Sequence, residues 1–284
     1  MNTEVNRSGA INSNAVEPGH SLNKLPLTVV ILAHRLDEWL ETAIDSAGRA
    51  GEVVVAHTNH QYDLPGSRMG VRHVRLETDR QADRQPNFSA WRNQAIGYAT
   101  QPWTLFLDSD EQIAEESWPE LAAIAQADPE DSTGVYTVRR VDYFYGQPLS
   151  WGEVRRVELA RLGPTDRLIA SRPVHEVIAA NLPSTASQVT LLHFPHPDIS
   201  RFITKVGWYA RLEAEYRYQR GERFSQWRTV AFPLGKWLYN MGWRLAWRDG
   251  WRGVVYATLM SLHSFWVRLY LYEYARSGDE PSPN

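Results

Sequence analysis

The chain has 284 residues, 43% of them apolar and 22% charged, enough to bury a sizeable core as one large domain or as a domain with an appendage. Its formal net charge of -3 argues against nucleic acid as a partner, because phosphate recognition wants a basic footprint. There is no cysteine, which excludes disulfides, thiolate zinc sites and cysteine nucleophiles.

Residues 1–24 are polar and rich in Asn, Ser and Gly, lack the apolar centre of a signal peptide, and are expected to be a disordered lead-in. Leu27 to Ala33 is a short, β-branched run apolar on both faces, as expected for a strand buried in a parallel sheet. Asp37 is placed to cap a helix whose Leu40, Ala43, Ile44 and Ala47 share one face. Val53 to Val55 and Val71 to Leu76 read as further strands, Phe88 to Ala99 as a helix, and Trp103 to Leu107 as a buried strand that ends abruptly in acid. This alternation predicts a doubly wound α/β layer. Glu115 to Ala127 is expected to be helical, with Trp118, Leu121, Ile124 and Ala125 on one side, and Gly134 to Val141 a strand. Tyr143 to Trp151 contains a Gly146-Gln147-Pro148 turn and reads as a hairpin or loop. Beyond His196 the chain is helical and dense in Trp, Tyr and Arg. The organisation is therefore a lead-in (1–24), an α/β domain (25–198) and a helical tail (199–284).

Ligands of open α/β sheets bind beyond the carboxyl ends of the strands, where Asp108, Asp110 and Glu111 stand. Three carboxylates in four positions repel one another, and a divalent cation, Mg2+ or Mn2+, is the usual compensation. A solvated acidic loop at the start of the next helix is the plainer reading. A phosphatase with an aspartyl nucleophile is disfavoured by Gln112, which stands where Thr or Val would be wanted.

The whole segment from Phe88 to Glu111, with Arg92-Asn93 opening a helix before Asp108-Ser109-Asp110-Glu111, resembles glycosyltransferase family 2. Within it, the segment is most similar to the branch that acts on lipopolysaccharide core and related surface glycans. Tyr143 to Gly146, Val174-His175-Glu176, Leu192-His193 and Asp249-Gly250-Trp251-Arg252-Gly253 follow in the family's order. The resemblance implies a GT-A type, Rossmann-like mixed sheet flanked by helices, followed here by a helical extension. It also implies an inverting transfer from a nucleotide-sugar donor to a glycan or lipid-linked acceptor. Asp110 is expected to hold the metal, with Asp108 on it or on the donor's ribose, and His193 either reaches the metal or is a core histidine. Arg92 pairs with the donor diphosphate or is an ordinary surface arginine. The family's base-recognition Asp after the second strand is absent, which puts His57 or Asn59 in its place, and His34 occupies an unusual end of the first strand. Glu176 is the first candidate for the base that deprotonates the acceptor, with Glu153 and Asp142 as alternatives. A catalytically silent scaffold protein on the same fold is the competing reading.

In the tail, Trp243, Trp247 and Trp251 and Arg244, Arg248 and Arg252 recur every four residues, the pattern of an interfacial helix. Val254 to Tyr272 is largely apolar, with a polar stripe of Thr258, Ser261, Ser264 and Arg268. The protein is expected in the cytoplasm, peripheral on the inner face of the cytoplasmic membrane; packing of these helices on the catalytic domain is the alternative.

Overall fold

The computed structural model describes residues 24–59, 64–66, 69–77, 87–171, 177–178, 181–195 and 199–277. The expected lead-in lies outside them, except for Lys24. Strand β1 (Leu25–Ala33) pairs in parallel with β2 (Ala50–His57) and with β4 (Trp103–Asp108), and β2 in parallel with β3 (Val71–Arg75). Side chains alternate across β1: Val29 and Ile31 enter one apolar cluster with Leu40 and Ile44 of α1 (Glu38–Ser46) and Leu121 and Ile124 of α3 (Trp118–Gln126). Val30 enters another with Ala95 of α2 (Phe88–Ile96). A strand covered on both faces has to be largely apolar, and β1 is, except for Thr28, whose hydroxyl donates to Glu52 Oε2 at 2.8 Å. Asp37 caps α1 as expected, its carboxylate accepting from Leu40 N at 3.2 Å. Trp118, Leu121, Ile124 and Ala125 are the buried side of α3.

The sheet then changes direction. It continues beyond β4 with β8 (Val157–Pro164), β6 (Val135–Phe144), β11 (Ser184–His193) and β5 (Glu111–Ile113); β8 is antiparallel to β4 and to β6, and β9 (Ala170–Ser171) pairs with β10 (Val177–Ile178) apart from this sheet. The layer is thus a mixed sheet with helices on both faces and a helical C-terminal extension. The strands between residues 157 and 193 are additions to the elements expected from periodicity. The hairpin is real: β7 (Gln147–Pro148) folds back on β6, and the turn falls at Tyr145-Gly146, with φ of 48° and 71°. Positive φ at both central residues gives the twist that matches paired strands.

Helices α4 (Ile199–Gln219), α5 (Gln226–Leu238) and α6 (Gly250–Ser277) form the tail, and α4 and α5 both pack on α6. No described helix is long and apolar enough to cross a membrane. The Trp and Arg stripes do not run along one helix, because the chain between α5 and α6 turns at Leu245, whose φ is 56°. The tail is joined to the sheet domain through its Asp-Gly-x-x-Gly turn. Asp249 Oδ2 accepts from the backbone amides of Ser150 and Trp151, at 3.0 and 2.8 Å. Gly250 takes a left-handed φ of 66°, and a Cβ on Gly253 would stand 2.0 Å from the Ala246 carbonyl oxygen. Alongside, Phe144, Leu149 and Val154 pack with Ile199, Val255, Tyr256 and Leu259. Asp249→Ala is expected to lower stability by about 1–3 kcal/mol, because two amides lose their acceptor. Thermal unfolding measures this, and Asp249→Asn, which keeps an oxygen there, is expected to recover most of it.

Candidate active site

The apolar run of β4 stops at Asp108 because the next carboxylate already has partners waiting on both sides. Arg92, on α2 and 3% exposed, donates to Asp108 Oδ1 at 2.6 Å, and Arg161, on β8, donates to Oδ2 at 2.9 Å. Arg92 also lies over the Phe106 ring, 5.1 Å from its centroid. Burial pushes the Asp108 carboxyl up, but the charges of Arg161 and Arg92 outweigh it and hold the group well below the usual carboxylate range. Its neighbour Asn93 exchanges two hydrogen bonds with the Ala170 backbone, at 2.8 and 2.9 Å, so the Arg-Asn pair fixes both the acid and the segment after β8.

Asp110 lies just past the strand. Its Oδ2 accepts from Lys205 Nζ of α4 at 3.0 Å and stands 3.6 Å from His193 Nε2. The register of β11 places His193 opposite both Glu111 and Asp142, and His193 Nδ1 meets Asp142 Oδ1 at 2.6 Å. Burial would lower the His193 pKa, but Asp110 and Asp142 dominate and raise it to about 9, so both ring nitrogens carry protons. Asp110 is held below the ordinary range by His193 and Lys205 against the effect of burial. Glu111 is fully buried, accepts from the Asp108 amide at 3.0 Å, and is pushed up by burial and by the Asp108 charge.

The acidic cluster is therefore resolved differently from the expectation that all its carboxylates converge on one ion. Each has its own partner, and no group of three His, Asp or Glu among the described residues is placed to hold a metal. Asp108 is committed to two guanidinium groups, whereas Asp110 is bound to Lys205 and faces His193. Arg92 is correspondingly engaged with Asp108 and buried, rather than open to a diphosphate. Asp110 Oδ2 and His193 Nε2 face each other and would suit a divalent ion as two donors once the ion displaces the Nε2 proton, since a ligating imidazole has to be neutral; Asp142 orients the ring from behind.

Of the three base candidates, Glu176 lies outside the described residues. Asp142 is 1% exposed and bound to His193 and Arg140, and Glu153 is paired with Lys236 at 2.9 Å. Arg161 and Lys205 were not singled out by sequence. Arg161 gives one local signal, a charge inside the apolar end of a strand; Lys205 gives none.

His34 sits on the rim where β1 and β2 end, with Nδ1 3.1 Å from Thr58 Oγ1. The expectation that His57 faces a nucleotide is not met. It is fully buried, its ring stacks on His73 with centroids 5.2 Å apart, and its Nε2 lies 2.9 Å from His73 Nδ1. Nδ1 finds no hydrogen-bond partner among the described residues. Burial, then the charges of His73 and Arg75, lower its pKa from 6.5 to about 4. The fold thus favours neutral His57, and this contribution to stability, complete above about pH 6.5, is lost as the pH falls towards 4. Thermal unfolding of His57→Gln is expected to fall less steeply between these pH values than that of the parent protein; equal slopes would contradict the assignment.

Residues 72–168 match the family model described as Glycosyl transferase family 2. The lipopolysaccharide core biosynthesis glycosyltransferase LpsC of Rhizobium meliloti (strain 1021) is 25% identical over 264 residues, covering 88% of this chain and 93% of that protein. A TPR repeat-containing protein of Synechococcus elongatus is 36% identical over 132 residues, 46% of this chain but 30% of that one. Among solved structures, S. aureus TarS 1-349 is similar with a TM-score of 0.41 and 14% identity, covering 89% of this chain and 92% of that one.

Proposed function

We propose that this glycosyltransferase, whose residues 72–168 match the family model described as Glycosyl transferase family 2, transfers a sugar with inversion from a nucleotide-sugar donor to a glycan or lipid-linked acceptor. One observation carries the reading: at the carboxyl end of β4, Asp110 and His193 face each other beside Lys205, in a site walled by the Arg92–Asp108–Arg161 bridge. Asp110 and His193 would hold Mn2+ or Mg2+. Bound there, the ion would neutralise charge on the leaving diphosphate. Lys205, whose side chain is 38% exposed, is the protein cation free to exchange Asp110 for a phosphate oxygen. Asp142 keeps the His193 ring in its orientation, while Asp108 holds the two arginines and with them the floor of the site. His34 stands where the nucleoside end of a donor would pass. Glu176 is the proposed base for the acceptor hydroxyl.

The acceptor reading draws support from α5, whose Trp227, Val230, Leu234 and Leu238 recur at helical spacing and are all more than half exposed. Trp243, Trp247 and Trp251 are exposed as well. Such a surface suits the headgroup level of a bilayer and supports a peripheral place on the inner face of the cytoplasmic membrane, where a lipid-linked acceptor would be met.

The two aspartates separate chemistry from folding. With a panel of nucleotide sugars and Mn2+, Asp110→Ala is expected to abolish transfer while the fold is retained, as read by circular dichroism. Asp108→Asn is expected to cost on the order of 3 kcal/mol of stability, because two buried arginines lose their counter-charge. Full transfer by Asp110→Ala would refute the site.

Glu176→Gln is expected to lower kcat about 10²–10⁴-fold with little change in donor affinity, measured by titration of the donor. An unchanged kcat would move the base elsewhere.

A further inference from the structure

Thr258, at the start of the α6 polar stripe, is exposed, but the rest of the stripe is buried or half-buried. Ser261 and Arg268 are each 5% exposed, and Arg268 turns its guanidinium into a cavity of about 720 Å³ between α4, α5 and α6. Its Nη1 donates to the Ser264 carbonyl and hydroxyl at 2.7 and 2.8 Å, and its Cζ lies 4.3 Å from the Phe232 ring centroid. Nε has no hydrogen-bond partner among the described residues, and no described carboxylate stands within ion-pair distance. The other cations of the wall are compensated: Arg217 by Glu213 at 2.6 Å and Glu222 at 3.6 Å, Lys236 by Glu153 at 2.9 Å. Glu222 and Arg228 act on Arg268 only at longer range, with opposite signs, and His263 completes the lining. A buried guanidinium without a counter-ion is costly, and an arriving anion removes that cost. Phe232, over which Arg268 lies, is itself half exposed on α5, beside the apolar stripe, so one end of the cavity adjoins the surface assigned above to the membrane.

We propose that this cavity receives the phosphate of an anionic membrane lipid, with Arg268 as the group that binds it. The proposal rests on the membrane-facing reading of α5, and it adds a lipid site apart from the aspartates of β4.

The test uses the full chain, its Arg268→Met variant and a Trp227→Ala/Trp243→Ala double variant. Glycerol phosphate is the soluble probe; vesicles of phosphatidylcholine, with and without phosphatidylglycerol, are the membrane probes. Expected are a melting temperature raised by glycerol phosphate and a preference of about tenfold or more for phosphatidylglycerol vesicles. Both are expected to vanish in Arg268→Met, which by itself should melt no lower than the parent, since it sheds an uncompensated charge. The double Trp variant is expected to lose vesicle binding and keep the glycerol phosphate response. Vesicle binding with an anionic preference independent of Arg268 overturns the cavity assignment and leaves the membrane reading standing. An Arg268-dependent response to glycerol phosphate without vesicle binding overturns the lipid source and the membrane reading together. A destabilised Arg268→Met that still responds to glycerol phosphate marks Arg268 as structural and refutes the proposal.

Discussion

Asp108 is gripped from opposite sides by arginines that come from different halves of the sheet, Arg92 from the helix that feeds β4 and Arg161 from the first antiparallel strand beyond it. The Asp108 side chain is 31% exposed, while the arginines that hold it are 3% and 10% exposed. Buried ion pairs contribute little net stability when intact and cost much when broken, so the bridge acts chiefly to fix geometry. It closes the seam between the parallel half of the sheet and the antiparallel half, and Asp110, two residues on, meets a different set of partners.

That second set comes from far along the chain. His193 arrives by the pairing of β11 with β6 and β5, and Lys205 by the docking of α4. The helical tail is consequently part of the site as well as a surface. Asp249 clasps the loop after the β6–β7 hairpin, and Lys236 reaches Glu153 in the same region. The two readings of the tail are compatible: one side packs on the catalytic domain, and α5 keeps an apolar side outward.

Much of the architecture was legible locally. β1 and β4 announce themselves by apolar runs, α1 by the Asp37 cap, and α3 by the spacing of Trp118, Leu121 and Ile124. Those signals are short-range, and so were the successes. The partners of the acids are 53 residues away for Arg161 and 95 for Lys205, brought in by strand order and helix docking that no periodicity encodes. Asp108 and Asp110, two apart, would share a face on a continuing strand, yet β4 ends at Asp108 and Asp110 lies in the turn before β5, where that alternation no longer holds. His57 was assigned to the rim because it follows the apolar Val53-Val54-Val55; β2 runs through it, and the pairing with β3 sets His73 against its ring. The tail's aromatic and basic repeat was read as one helix, which the left-handed Leu245 interrupts.

Lys205 sits on the first helix of the tail and Asp110 on the sheet domain, while the match to the family model stops at residue 168. A module cut at that border would carry the aspartates without the imidazole and the ammonium that surround one of them. Exchanging tails between relatives is therefore a graft onto the proposed site, and a chimera has to import the α4 cation together with the clasp that seats it.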